Sequence, residues 1–438
     1  MRPYQSYVYA YPHKTAYRQL EPRPQLAELW AGEPQDALSL YLHIPFCEVR
    51  CGFCNLFTRI GSPDGLTTAY LDALERQAVA VRAALDEGAR FEVAAFGGGT
   101  PTYLTARELE RLCDLTEQRM GVDLRAVPLS VEASPDTATA DRLEVLADRG
   151  TTRLSLGVQS FLDEEAKSAV RPQKRAAVEA ALGRIRAAGF PVLNIDLIYG
   201  IDGQTGASWL RSLDAALAWR PEELYLYPLY VRPLTGLARR SDPPDRSMPQ
   251  DWDTQRLALY RSGRDHLLAH GYRQVSMRMF RRADAAAEVA GEYSCQTDGM
   301  VGLGCGARSY TAGLHYSFDY AVNATEVRGI IDDYVATTDF GHAERGWPMD
   351  QDEARRRHLL QSLLQADGLE LADYHRRFHS TPAEDFPAEL AGFAERGWLA
   401  DGPGRLALTA EGLAYSDAVG PALFSPAVRH RMAGHQAR

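Results

Sequence analysis

The chain reads as an α/β protein, a partial (β/α)6 barrel followed by a C-terminal, mainly helical domain. Three observations predict this. Apolar, β-branched runs alternate with Ala/Leu/Glu/Arg-rich stretches of helical spacing, the pattern of a parallel sheet with covering helices. The runs are nearly continuous in apolar residues, as expected of strands buried on both faces. Six such units fall between about residues 37 and 235, too few for a closed eightfold barrel but enough for an open one.

The strands are expected at 38–44, 91–96, 127–131, 154–158, 192–199 and 224–231, and the intervening helices at 67–87, 106–120, 175–188 and 208–219. In such sheets ligands sit at the carboxyl ends of the strands. Before them lies an arm, 1–36. After them, SDPPDRSMPQ (241–250) carries three prolines and reads as a linker, followed by a helix over 252–270. A Gly-rich passage, GMVGLGCGARSYTAG, covers 299–313. From about residue 350 the pattern is helical again, and RLALT followed by a helix suggests a small winged-helix-like unit. The expected divisions are therefore 1–36, 37–235, 236–345 and 346–438.

Composition narrows the function. The 438 residues allow two to three domains, and 45% apolar content can build a sizeable core. A formal charge of −10 argues against nucleic acid or an anionic membrane as partner, since both call for a basic footprint. No apolar run approaches the roughly 20 residues that span a bilayer, and the first residues show no apolar signal core; the expected location is the cytoplasm. Lys14, Lys167 and Lys174 are the only lysines among 48 basic residues. This reads as a coding bias toward arginine, so an arginine patch carries little information.

Six cysteines do not make a disulfide scaffold, but three of them crowd into YLHIPFCEVRCGFCNLF (41–57). Cys47, Cys51 and Cys54 stand at CxxxCxxC just after the first strand. Thiolates are the ligands of iron–sulfur clusters. Three from one loop leave the fourth iron of a 4Fe–4S cluster open to an exogenous amine and carboxylate. The alternative, structural zinc, calls for a fourth protein ligand, and no second CxxC pair exists.

CxxxCxxC after the first strand and GGGTP after the second resemble the radical S-adenosylmethionine (SAM) superfamily. YLHIPFC, AFGGGTPTYL, SVEASP, RLSLGVQSF, NIDLIYGIDGQT and GLGCGARSY, in that order, resemble its HemN-like family over roughly residues 38–315. The resemblance implies a 4Fe–4S cluster on Cys47, Cys51 and Cys54, and SAM, in two molecules. It implies that Gly97, Gly98, Gly99 and Thr100 approach the methionyl amine, and that Glu132 holds the ribose or amine. Gln159 is then set beside the adenosine, Arg171 on the methionine carboxylate, and Asp196 on the ribose hydroxyls. Tyr41 and Phe53 pack around the adenine and the cluster.

Members of this family include oxygen-independent coproporphyrinogen III oxidase, the haem chaperone HemW and the class C radical SAM methyltransferases. The oxidases carry a further cysteine two after the set, where this chain has Asn55 and Leu56. The chaperones carry an HNxxYW-like stretch, where this chain has EYSCQTDGMVGLG. These departures favour the class C reading: a methyl or methylene unit from a second SAM is transferred to an sp2 carbon, giving methylation or cyclopropanation. Ile198, Tyr227, Tyr230, Cys295 and Gln296 fall near positions that line the second SAM, with Cys295, Cys305 and Tyr230 as candidate catalytic groups. The tyrosine-rich arm over 4–18, with His13, is expected either over the barrel mouth, shaping a planar aromatic pocket, or packed on the outside. The expected partners are a planar unsaturated small molecule and an electron donor such as flavodoxin or ferredoxin. Alternatives are oxidative decarboxylation of a porphyrinogen and haem chaperoning.

Overall fold

The computed structural model describes residues 1–240, 250–285, 299–400 and 402–435. Its six central strands are β1 (Leu38–Ile44), β2 (Phe91–Gly98), β3 (Leu129–Ala133), β4 (Arg153–Gln159), β5 (Val192–Tyr199) and β6 (Glu223–Pro228). They pair in parallel in chain order. The covering helices are α1 (Leu66–Ala84), α2 (Ala106–Met120), α3 (Ala140–Asp148), α4 (Arg175–Ala188), α5 (Gly206–Leu217) and α6 (Gln250–Ala269). Five of these follow local signals closely. The helix α2, for example, starts at a capping box in which Thr105 and Glu108 satisfy each other's backbone N–H. The third strand begins two residues later than expected, after Pro128, and the sixth ends at Pro228.

Alternation sets the two faces of each strand. Leu40, Leu42, Phe96, Val131, Leu154, Leu156, Ile195 and Leu226 are buried in the main core under the helices. Tyr41, His43, Gly97, Glu132, Ser155, Asn194, Asp196, Tyr225 and Tyr227 alternate with them and line the concave face. That face is polar and aromatic, and it holds the site.

The sheet does not stop at six strands. At the far edge β6 pairs antiparallel with β8 (Met279–Arg282), which pairs with β7 (Tyr272–Gln274). At the near edge β9 (Met300–Leu303) runs parallel to β1, and β10 (Arg308–Tyr310), β11 (Leu314–Ser317) and β12 (Arg345–Pro348) follow antiparallel. Arg18–Gln19 of the arm closes the order on β12, making thirteen strands. The Gly-rich passage is thus a hairpin on the barrel wall. The expected linker at 241–250 lies outside the described residues up to its last position.

The C-terminal part has its own core, including Leu359, Leu363, Tyr374, Phe393 and Trp398, and arm residues Val8 and Tyr11 belong to it. Helices that include Gln351–Leu363, Leu371–Phe378, Pro387–Ala394 and Pro426–Ala433 accompany a three-stranded sheet of Leu369–Glu370, Arg405–Leu408 and Leu399–Ala400. Among the described residues no helix is long and apolar enough to cross a membrane.

Candidate active site

The cysteine loop leaves the carboxyl end of β1. Cys47 N–H donates to Arg59 O (3.0 Å) and Arg59 N–H to Pro45 O (2.6 Å), closing the loop at its base. Gly52 N–H donates to Ala169 O (3.1 Å), tying the tip to the segment after β4. Thr100 Oγ1 lies 3.5 Å from Cys47 Sγ and Thr58 Oγ1 lies 3.8 Å from Cys54 Sγ, while Arg171 Nη1 donates to Cys51 Sγ (3.1 Å). Burial pushes the Cys47 thiol up to about 12 and raises that of Cys54. A bound cation reverses this and deprotonates its thiol ligands.

The donor set fits a polynuclear cluster better than one ion. About 2.3 Å to each sulfur would bring zinc thiolates within about 4 Å of one another. Among the described residues, the only triad whose ligand atoms all lie within 4.8 Å is Asp214, His266 and His270, elsewhere in the fold. The three cysteines are more widely spread, half-buried, and faced by a guanidinium that offsets thiolate charge.

His43, on the concave face of β1, is the hub beneath this loop. Its Nε2 is 3.2 Å from Phe57 O and its Nδ1 is 3.2 Å from Tyr41 Oη. Gly98 has φ +115°, and a Cβ there would stand 2.6 Å from the His43 ring; Gly306 has φ +103°, and its Cβ would stand 2.7 Å from His43 Nε2. Both glycine motifs are therefore fixed by one buried imidazole. Burial lowers its pKa to about 4, so it is neutral at pH 7.

Glu132 accepts from Gly98 N–H (3.1 Å). It opens to the lumen, yet it sits deep between strands, and burial raises its carboxyl to about 7. Asp196 accepts from Asn194 Nδ2 (2.7 Å) and more loosely from Ser155 Oγ (3.4 Å); burial raises it too, and Asn194 and Ser155 oppose that. Two acids in one lumen thus keep acceptor atoms available for hydroxyls or an amine.

Arg171 is held on three sides. Nη2 donates to Gly157 O (2.5 Å), Nη1 to Cys51 Sγ, and Nε to Gln173 Oε1 (2.7 Å), while Gln173 Nε2 donates to Val158 O (2.6 Å). Gln159, which ends β4, takes φ +70°. The sequence assigns no site role to Gln173 or His43. The signals available were the two-residue offset from Arg171 and the position inside YLHIPFC.

Residues 41–216 match the family model described as the radical SAM superfamily, and residues 349–415 match the HemN C-terminal domain. The oxygen-independent coproporphyrinogen III oxidase of Escherichia coli is 31% identical over 370 residues, 82% of this chain and 78% of the relative. The chain belongs to the HemN-like radical SAM family. It is accordingly a radical SAM enzyme that works with a 4Fe–4S cluster and SAM. Heme chaperone HemW of Bacillus subtilis is 27% identical over 380 residues, 85% of this HemN-like chain and 96% of the relative. The solved structure of coproporphyrinogen III oxidase (HemN) from E. coli matches with a TM-score of 0.79 and 25% identity, covering 95% of this chain and 96% of that one.

The remaining expected residues of this HemN-like enzyme divide. Ile198 and Tyr227 join Phe53 of the cysteine loop in one apolar group with Ala169 and Leu229. Cys305 is not brought there. It is fully buried in the main core, its thiol donates to Tyr70 Oη of α1 (3.7 Å), and burial pushes it up to about 12. It faces the helix layer, because Gly304 and Gly306 turn the chain around it, so the candidate catalytic role is corrected to a core thiol. Tyr230 Oη donates to Asp417 (2.6 Å) of the C-terminal part and is engaged in that junction. Cys295 and Gln296 lie outside the described residues.

The arm folds over the barrel mouth. Tyr7 meets Tyr227 edge-on (6.1 Å), and Ala10 packs with Met300, Tyr310, Tyr9 and Tyr41. The opposite side of the arm faces the C-terminal core through Val8 and Tyr11, and Tyr11 Oη is bonded to Glu353. The Arg308 guanidinium lies 4.7 Å from the Tyr9 ring centre, and Lys14 Nζ sits 3.5 Å over Tyr320, whose hydroxyl donates to Asn55 O in the cysteine loop (2.8 Å). Burial pushes the Tyr9 phenol up, but Arg308 and Lys14 outweigh it and the phenol ends below its ordinary value.

Proposed function

We propose that this enzyme abstracts a hydrogen atom from a carboxylate-bearing, pyrrole-containing small molecule held between the barrel lumen and the arm, in the manner of an oxygen-independent coproporphyrinogen III oxidase. One observation carries the reading: Lys14 and Arg308 converge around Tyr9, beside Tyr7, Tyr41 and Tyr227. Cations receive carboxylates, and phenolic rings pack against individual pyrrole rings. Cys47, Cys51 and Cys54 would hold the cluster, which would supply one electron for the reductive cleavage of SAM. The chain's own residues orient and enclose. Arg171, fixed by Gly157 and Gln173, offers a guanidinium to the methionine carboxylate. Glu132 and Asp196 offer acceptors to the amine and ribose, and the arm keeps water from the lumen.

A second reading is transfer of a methyl or methylene unit from a second SAM to an sp2 carbon. It is favoured by Asn55 and Leu56, which stand where the oxidases carry a further cysteine. The deciding experiment is anaerobic. Cluster-loaded protein is given SAM, a strong reductant and coproporphyrinogen III, and 5′-deoxyadenosine, S-adenosylhomocysteine (SAH) and decarboxylated product are quantified. Decarboxylation without SAH supports the first reading. SAH accompanying 5′-deoxyadenosine, with no decarboxylation, supports the second. Haem binding without any SAM cleavage would overturn both. Lys14→Met and Arg308→Met are expected to raise the substrate KM more than tenfold while leaving cluster content unchanged.

A further inference from the structure

A second cluster of metal-ligating side chains stands at the other end of the barrel and plays no part in the reading above. It joins Asp214, in the last turn of α5, to His266 and His270 at the C-terminal end of α6. Each offers one ligand atom, and the three atoms all lie within 4.8 Å of one another. The histidines are four apart, so the helix stacks them on one face, with ring centres 4.3 Å apart. Because α5 leaves the carboxyl end of β5 and runs back along the sheet, Asp214 lies toward the amino ends of the strands. Tyr272, just after His270, donates to Pro221 O (2.6 Å), immediately before β6, and fixes the same end. The cysteine loop leaves the opposite end.

The hydrogen bonds identify which ring atoms face outward. A carbonyl only accepts, so His270 Nδ1 carries a proton toward His266 O (2.8 Å), and its Nε2 keeps a lone pair. Metal-ligating histidines are oriented by this kind of second contact. A carboxylate at neutral pH also only accepts, so His266 Nε2–H points at Asp214 Oδ1 (2.7 Å). A cation seated there replaces that one proton and takes nitrogen, nitrogen and oxygen from two helices. Water completes its shell, since the site is open to solvent on the Asp214 and His270 sides.

We propose that Asp214, His266 and His270 form a binding site for a divalent transition-metal ion, zinc by ligand type, which cross-links α5 to α6 on the outside of the barrel. With three protein ligands and water, the ion bridges the two helices without forming a closed four-ligand site, and it is separate from the cluster.

The test uses tag-free, cluster-loaded protein, so that Cys47, Cys51 and Cys54 are occupied, and zinc ion alone as probe. Metal analysis and titration calorimetry are expected to give one zinc per chain beyond the iron, with constant iron content. His270→Gln and the near-isosteric Asp214→Asn should each weaken binding at least tenfold. The rise in thermal midpoint with zinc should vanish in both. His375→Gln is the control. That residue belongs to another surface pair, with His379, whose rings stand 6.5 Å apart, and its variant should bind as wild type. No zinc beyond the iron, or binding unchanged in His270→Gln and Asp214→Asn, would overturn the proposal.

Discussion

Asp417→Asn tests how the arm, the barrel and the C-terminal part are held together. Asp417 is 1% exposed. Its carboxylate receives Arg278 Nη2 at 2.5 Å and Tyr230 Oη at 2.6 Å, and its backbone carbonyl receives the N–H groups of Gln5 and Ser6. Arg278, next to β8, is itself buried and lies 3.9 Å from the Tyr7 ring centre. The substitution leaves a buried guanidinium without that carboxylate. Breaking a buried pair costs about 3–5 kcal/mol. Asparagine keeps the shape and one acceptor, which offsets about 1 kcal/mol. The expected loss is therefore about 2–4 kcal/mol, read by urea denaturation of cluster-free protein. Limited proteolysis should cut the arm faster. Replacing both partners by apolar residues, Arg278→Met with Asp417→Leu, should recover most of the loss, because no charge is then left buried. Tyr230→Phe should cost about 1 kcal/mol and leave SAM cleavage intact. A loss below about 0.5 kcal/mol in Asp417→Asn would refute this account of the junction, as would a double variant worse than the sum of its parts. A stable Tyr230→Phe that cannot cleave SAM would restore the catalytic assignment of that tyrosine.

Other outcomes follow from the site. Cys47→Ala, Cys51→Ala and Cys54→Ala should each lose iron and abolish 5′-deoxyadenosine formation, measured by iron assay and mass spectrometry. Gly98→Ala combines a left-handed φ with a clash against His43, and should cost about 1–3 kcal/mol and impair SAM binding, read by equilibrium dialysis. His43 sits at about 4 in the folded chain against about 6.5 unfolded, so below pH 6.5 the unfolded chain takes up the proton first. The His43 contribution, about 3 kcal/mol, is present above pH 6.5 and lost as pH falls to 4. Denaturation of cluster-free wild type and His43→Gln across that range should show a shallower slope in the variant.

Local pattern carried much of this architecture. Strands β1 and β5 end at the residues their apolar runs predict, since every second side chain packs under the helices and has little freedom to be anything but apolar. The spacing and order of Cys47, Cys51 and Cys54, GGGTP and the later motifs were equally legible, since each is a short segment whose chemistry depends on neighbours in the chain. What only the tertiary structure decided were choices between faces and between distant partners. Cys305 and Arg308 stand three residues apart in one Gly-rich hairpin, yet the first meets Tyr70 behind the sheet and the second meets Tyr9 in the lumen. The register of β9 against β1, and of β10 against β9, makes that choice. The arm's tyrosines looked alike in sequence; Tyr7 and Tyr9 face the barrel, while Tyr11 faces the C-terminal core, because the arm is pressed between two surfaces. Beyond its place in YLHIPFC, the role of His43 was not legible, because its partners at Gly98, Phe57 and Gly306 come from three other segments, and only folding brings them to one ring.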